Sequence, residues 1–177
     1  MTAPQEIAPW FQRRFVFDSD PALSPNLIAR LAGVPARLAE VLEPLSRDQQ
    51  VERVAGKWSA LEHVGHLADL ESLFSGRVDE FLAGAEVLQA ADLANAKTEA
   101  ANHNARPTRD VLAEQRATRE AFVAKLDALA AEDFARESRH PRLDQPMRLF
   151  DHLVFVAEHD DHHIAVIRRL VAMHRSR

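Results

Sequence analysis

From Met147 to His174 the chain runs 28 residues without a proline or glycine, rich in Leu, Val, Ile and Ala, with Glu158-His159-Asp160-Asp161-His162-His163 in its middle. Such a run predicts one long helix. At ~100° per residue, Leu149, His152, Val156, His159, His163, Val166, Ile167 and Leu170 share a face. Histidines inside an apolar stripe constrain the fold, because burying an imidazole is unfavourable unless its polar nitrogens find partners. His159 and His163 stand at i and i+4, with rings ~6 Å apart, and one divalent ion could satisfy both. Zinc, nickel, copper and iron- or manganese-type ions all take nitrogen ligands, so the spacing proposes a metal without choosing it. The plain alternative is a core histidine pair in which each ring keeps one hydrogen bond. A metal site needs a third ligand from elsewhere in the chain.

The rest of the sequence supplies helices for this one to pack against. Only five glycines, abundant Ala, Leu, Glu and Arg, and scarce β-branched alternation predict helices throughout. Residues 1–22 are an exception: the aromatic-rich stretch Trp10 to Phe17, closed by Asp20-Pro21, reads as an extended lead packed across the helices. Ser24 as N-cap and Pro25 at the first helical position open a helix over 24–43, kinked near Gly33-Val34-Pro35. After a loop over 44–57, Ser59 and Glu62 form a capping box that opens a second helix over 59–82. Its apolar arc holds Val64, Leu67, Leu70, Phe74, Val78 and Phe81. His63 falls well inside that arc and His66 at its edge, so periodicity does not choose between them and leans only slightly to His63. Glu71 also lies in the arc, where a carboxylate is expected to pair with an Arg of a neighbouring helix.

Residues 84–107 read as a long polar crossover with room for a short helix. Thr108 then caps a third helix over 108–131, with Val111, Gln115, Thr118, Phe122, Leu126 and Leu129 inward and Arg119 at the flank. Two polar residues in mid-stripe imply either a wet cavity or satisfied core hydrogen bonds. A turn-rich loop over 132–146 leads to the last helix, 147–174. The sum is an all-α fold, a four-helix bundle with a long crossover between the second and third helices, in one domain spanning 1–177.

Composition narrows the chemistry. Hydrophobic residues at 46% and charged ones at 28% describe an ordinary globular protein. A net charge of -5 gives no electrostatic reason to expect nucleic acid or an anionic membrane. With no cysteine there is neither a thiolate ligand nor a cysteine nucleophile, so a metal must sit on His, Asp, Glu or water. No signal-peptide pattern or apolar run of ~20 residues is seen, and the expected compartment is the cytoplasm.

Gly56-Lys57-Trp58-Ser59, then Glu62, then Gly65-His66-Leu67-Ala68-Asp69-Leu70-Glu71, is similar to the second-helix motif of the DinB/YfiT-like superfamily. Glu158 to Ile164 resembles that family's last-helix motif, in which a His-x-x-x-His pair joins a second-helix His on a divalent ion. The resemblance covers nearly the whole chain, including Phe11-Gln12-Arg13-Arg14-Phe15 and the stretch from Pro107 to Arg119. It implies His66, His159 and His163 as ligands, where the helical wheel leaned to His63. His63 then stays as a reserve ligand or supporting donor, with His152 and His162 as further reserves.

Known activities in that family include metal-dependent transfer of low-molecular-weight thiols to electrophiles and thiol-dependent isomerisation. The resemblance therefore implies a small thiol or electrophile as partner, and a homodimer as the assembly. Glu71, Gln115, Thr118 and Arg119 are the expected substrate-holding residues, and Asp160 or Asp161 the expected supports of the histidines. Two functional classes stay open: a metalloenzyme activating a thiol or water, and a non-catalytic metal-binding or stress-associated interaction protein whose ion is structural. A cluster that opens on a cavity favours the first.

Overall fold

The computed structural model describes residues 6–176, and its long helices lie where hydrophobic periodicity puts them. The first bundle helix is broken into α1 (Ser24–Ala32) and α2 (Val34–Leu42). Pro35 has no amide hydrogen and its ring crowds the preceding turn, so the break falls at Gly33, as the sequence predicts. A five-residue helix, α3 (Arg47–Val51), forms in the expected loop because Ser46 and Gln49 make a reciprocal capping box. The second long helix, α4 (Ala60–Ala83), starts at the expected Ser59–Glu62 box and stops at Gly84, whose φ of 72° is left-handed. In the crossover, α5 (Ala96–Ala101) is bracketed by Asn95 and Asn102, both with positive φ. The last two long helices are α6 (Thr108–Asp127) and α7 (Leu149–Arg175).

Several local expectations are corrected. Ser24 is already helical rather than a cap, because Asp20 caps a 3-10 turn over Pro21–Leu23 that runs into α1. Thr108 does not cap α6, since its hydroxyl is committed to Gln50 and Arg47. The third helix ends at Asp127, short of 131, and the last begins at Leu149, not 147. Between them the expected loop contains an antiparallel hairpin, β1 (Glu137–His140) and β2 (Gln145–Arg148), in the register Glu137↔Arg148 to His140↔Gln145. Met147 is thus a strand residue with its side chain in the core, 1% exposed.

α4 packs against α6 and α7, and α1 and α2 complete the bundle against the same two helices. The core divides in two. One cluster gathers Leu31, Phe74, Phe81, Phe122, Leu153 and Val156, the other Val34, Leu38, Leu61, Leu67, Val111 and Ile167. Between them α4, α6 and α7 each carry buried polar residues: Glu71 lies between Leu67 and Phe74, Gln115 and Arg119 between Val111 and Phe122, and His159 and Asp160 between Ala157 and Ile164. That polar belt positions the site. The aromatic lead crosses α7 as expected, with the Trp10 ring 5.1 Å from Phe155 and 5.0 Å from His159, and with Arg13 bonded to Glu158. No described helix is long and apolar enough to cross a membrane.

Candidate metal centre

His66 of α4 and His159 and His163 of α7 are buried together, and one ring nitrogen of each lies within 4.8 Å of the others. Sequence produces this meeting simply: the i,i+4 spacing stacks two rings on α7, and α4 packs its first three turns against that face. Nε2 of His159 and Nε2 of His163 are 3.1 Å apart. Burial, together with the neighbouring imidazoles, holds His159 and His163 well below the ordinary histidine range. For His66, burial outweighs the nearby Asp69 and lowers the pKa to about 4. All three rings are neutral near pH 7, the form in which histidine ligates.

The surrounding hydrogen bonds decide where the protons sit. Nδ1 of His66 is 3.1 Å from the Thr98 hydroxyl, which lies near the Asp69 carboxylate and helps to lower its pKa. A His66 ring that bound an ion through Nε2 would carry its proton on Nδ1, where the Thr98 hydroxyl can accept it. Asp69 is braced from the other side by Nε2 of His103 at 2.9 Å. Burial pushes Asp69 up, but hydrogen bonds from His103 and Thr98 and the charge of Lys97 bring it below the usual range. Nδ1 of His163 meets Nδ1 of His63 at 2.7 Å, so His63 contacts His163 from outside the three-ring cluster.

This donor set fits a divalent ion. Two neutral rings meeting Nε2 to Nε2 can share only one proton, and His163 already has its other nitrogen committed to His63. An ion would accept all three Nε2 lone pairs at once, with the protons left on Nδ1 of His66 and His163 for Thr98 and His63. Nδ1 of His159 is buried and without a hydrogen-bond partner. The Thr98 contact yields a measurable expectation: Thr98→Val should weaken divalent-metal affinity by about 10–100-fold, as losses of ligand-orienting partners do, whereas Thr98→Ser should retain it. Competition with a chromophoric chelator reads both.

The histidines form one wall of a cavity of about 410 Å³, within the size range of small-molecule sites. Trp10, Trp58, Leu70, Leu73 and Phe74 supply apolar walls. The Trp58 ring stands 4.7 Å from that of His66, fixed by an indole hydrogen bond to Glu99 at 2.6 Å. Arg77, His140 and Arg142 also line the cavity.

The expected substrate-holding residues are not in it. Arg119 donates from Nε to Glu71 at 2.9 Å and from both terminal nitrogens to Asp160 at 2.6 and 3.1 Å, with all three side chains at most 3% exposed. Glu71 therefore has the neighbouring-helix Arg partner that its place in the arc predicts. Thr118 bonds back to the carbonyls of Glu114 and Gln115 in its own helix, and Gln115 is fully buried. Asp160 and Asp161 do not support the histidines either, since Asp161 binds Arg30 and Arg37. Among the reserves, His63 contacts His163 and His162 lines the cavity edge, while His152 lies below, bonded to the Phe74 carbonyl. Sequence reasoning missed Thr98, Arg77, His140 and Arg142. Thr98 and His103 sit in the crossover and His140 and Arg142 in the hairpin, where no periodicity announces an inward side chain.

The fold has a counterpart of known structure. YfiT from Bacillus subtilis matches with a TM-score of 0.76 at 24% identity, over 89% of this chain and 91% of that one. No curated protein matches the sequence at a significant level. The model of the DinB superfamily matches residues 30–167, which reach into every bundle helix and include all three clustered histidines, and the chain belongs to that superfamily.

Proposed function

We propose that His66, His159 and His163 hold one divalent ion, and that the protein is a metalloenzyme turning a water or a small thiol on an electrophilic substrate bound in the adjoining cavity. The observation that carries this reading is the position of the three-His cluster in the wall of a cavity of about 410 Å³. A purely structural ion is better served by four protein ligands in a closed site. YfiT, which shares the fold, is described as a probable metal-dependent hydrolase with an unusual four-helix bundle topology, and the likeness supports the metal.

An ion held by three neutral imidazoles keeps its full charge and open positions, where water or a thiol becomes acidic enough to act near pH 7. The chain's own residues do the rest. Thr98 and His63 fix two of the ligand rings, and the Trp10 and Trp58 indoles with Leu70, Leu73 and Phe74 give the cavity apolar walls, which strengthen charge interactions beside them.

Metal content of protein purified without an affinity tag should be about one equivalent per chain, set by a three-ligand site that binds at neutral pH. His66→Ala and His159→Ala should each lose it. His63→Ala should bind more weakly without losing the site. Retention of metal in both ligand variants would show the site to be misassigned. Turnover in a screen of ester, amide and thiol-transfer substrates should vanish in His159→Ala. If chelation instead only lowered the melting temperature, and loaded protein turned over nothing, the ion would be structural, tying α4 to α7.

A further inference from the structure

The end of the cavity away from the three histidines holds three hydrogen-bond donors and no acid to receive them. Arg77, 2% exposed, is fixed by two bonds from Nε and Nη2 to the Gln89 carbonyl, at 3.0 and 2.7 Å. Its Nη1 faces Nε2 of His140 at 3.3 Å. Nδ1 of His140 accepts the backbone N–H groups of Arg142 and Leu143, at 3.2 and 3.1 Å. A neutral ring that accepts at Nδ1 carries its proton on Nε2. Arg77 Nη1 and His140 Nε2 therefore present hydrogens to the same place. Burial and the charges of Arg77 and Arg142 push His140 down to about 4, which keeps the ring neutral. The third donor is Nη2 of Arg142, buried without a partner, on a guanidinium that stacks over the rings of Trp10, Phe11 and Phe155.

No carboxylate among the described residues is bonded to either guanidinium, although the charge of Glu80 acts favourably on Arg77. Among the described residues neither Arg77 nor Arg142 takes part in an ion pair within 4 Å, unlike Arg30 and Arg119 of the bundle helices. Glu80 accepts from the Gln89 amide, and Asp92, which does line the cavity, accepts from the amides of Ala94 and Ala96. Two cations at one end of an apolar cavity repel each other, and burial further disfavours both. An arrangement of this kind is stable in proportion to how well an anion completes it.

We propose that Arg77, His140 and Arg142 form an oxyanion subsite, which receives the carboxylate of a small substrate whose reacting end lies toward His66, His159 and His163. A planar carboxylate suits it, since its two oxygens can accept together from Arg77 Nη1, His140 Nε2 and Arg142 Nη2. The apolar walls between the two ends suit a short aliphatic or aromatic body. The inference rests on the catalytic reading above for its orientation, but the subsite itself requires no metal.

Benzoate and its neutral isostere benzamide are the probes. Both tryptophans of the chain, Trp10 and Trp58, line the cavity, so tryptophan emission reports occupancy. In chelator-treated protein, benzoate should bind at least about tenfold more tightly than benzamide, the scale of one charge-assisted bond. Arg142→Met, at the half-exposed hairpin turn, should abolish that preference while the melting curve stays unchanged. Equal binding of the two probes, or a preference that survives Arg142→Met, overturns the subsite. A preference seen only in zinc-loaded protein and untouched by Arg142→Met also overturns it, since the carboxylate is then a metal ligand. Metal content measured on the same preparations separates the two readings: protein that binds no metal yet prefers benzoate keeps the subsite and loses the metalloenzyme.

Discussion

Arg119→Ala is expected to destabilise the bundle by about 3–5 kcal/mol, the cost of leaving buried charge uncompensated. The guanidinium lies between Glu71 and Asp160 where α4, α6 and α7 meet, with 1% of its side chain exposed. Its removal leaves two carboxylates in a region between two apolar clusters, with no other cation bonded to either. Chemical denaturation would measure the loss. The mechanism is separable from mere cavity formation: adding Glu71→Gln and Asp160→Asn to Arg119→Met should restore much of the stability, because no buried charge then remains. If the uncharged triple variant were as unstable as Arg119→Ala, packing and not charge would be the cause.

The same triad gives a pH dependence. Burial raises the Glu71 pKa from the ordinary 4.5 to about 7, with Asp160 adding to the rise and Arg119 opposing it. Folding therefore raises this pKa, and the folded chain holds the proton more tightly than the unfolded one. The resulting stabilisation is full below about pH 4.5 and is lost as pH rises through 7. Between pH 5 and 8 the wild-type protein should lose stability relative to Glu71→Gln, which cannot titrate. Parallel denaturation curves for the two proteins that keep a constant offset across that range would exclude a titrating Glu71.

The bundle was legible in the sequence because its four long helices obey period 3.6 and are punctuated by Pro35, the Ser59–Glu62 box and Gly84. The hairpin was not. Glu137–His140 and Gln145–Arg148 are four residues each, polar in most positions and interrupted by Pro146, so nothing in them alternates strongly enough to announce a strand. The wheel could not choose between His63 and His66 for a different reason. A wheel assumes one buried face, but residues 60–69 of α4 are all buried, wrapped by α7 on one side and the crossover on the other. Both histidines are inward. What separates their roles is the partner on Nδ1, Thr98 for His66 and His163 for His63, and that depends on a crossover whose path periodicity does not encode.

Arg119 shows the complementary limit. The pattern places it at the flank of the inward stripe, yet it is fully buried in the polar belt of the core, whereas the arginines that reach the cavity come from α4 and from the hairpin turn. Hydrophobic periodicity reports depth and not destination. A buried arginine with two carboxylates satisfied holds helices together, and one with an unpartnered nitrogen beside a cavity is free to hold a ligand.

Gly65→Ala is expected to damage fold and site together. A Cβ at this position would lie 2.3 Å from Cγ of His103 and 2.5 Å from its Nδ1, closer than real carbon contacts come. His103 has little room to yield, at 1% exposed and hydrogen-bonded to Asp69. Overpacking of a closed core costs about 1–3 kcal/mol, and a displaced His103 would leave the Asp69 carboxylate short of a partner at about another 1–3 kcal/mol. The damage should reach the metal centre through the chain His103, Asp69, Thr98, His66, so metal affinity should fall with stability. A double-mutant cycle tests the cause: in a His103→Ala background the added methyl has space, and Gly65→Ala should there cost less than about 0.5 kcal/mol, the level at which independent sites add. Full additivity of the two substitutions would mean that the glycine is needed for something other than the approach of that ring.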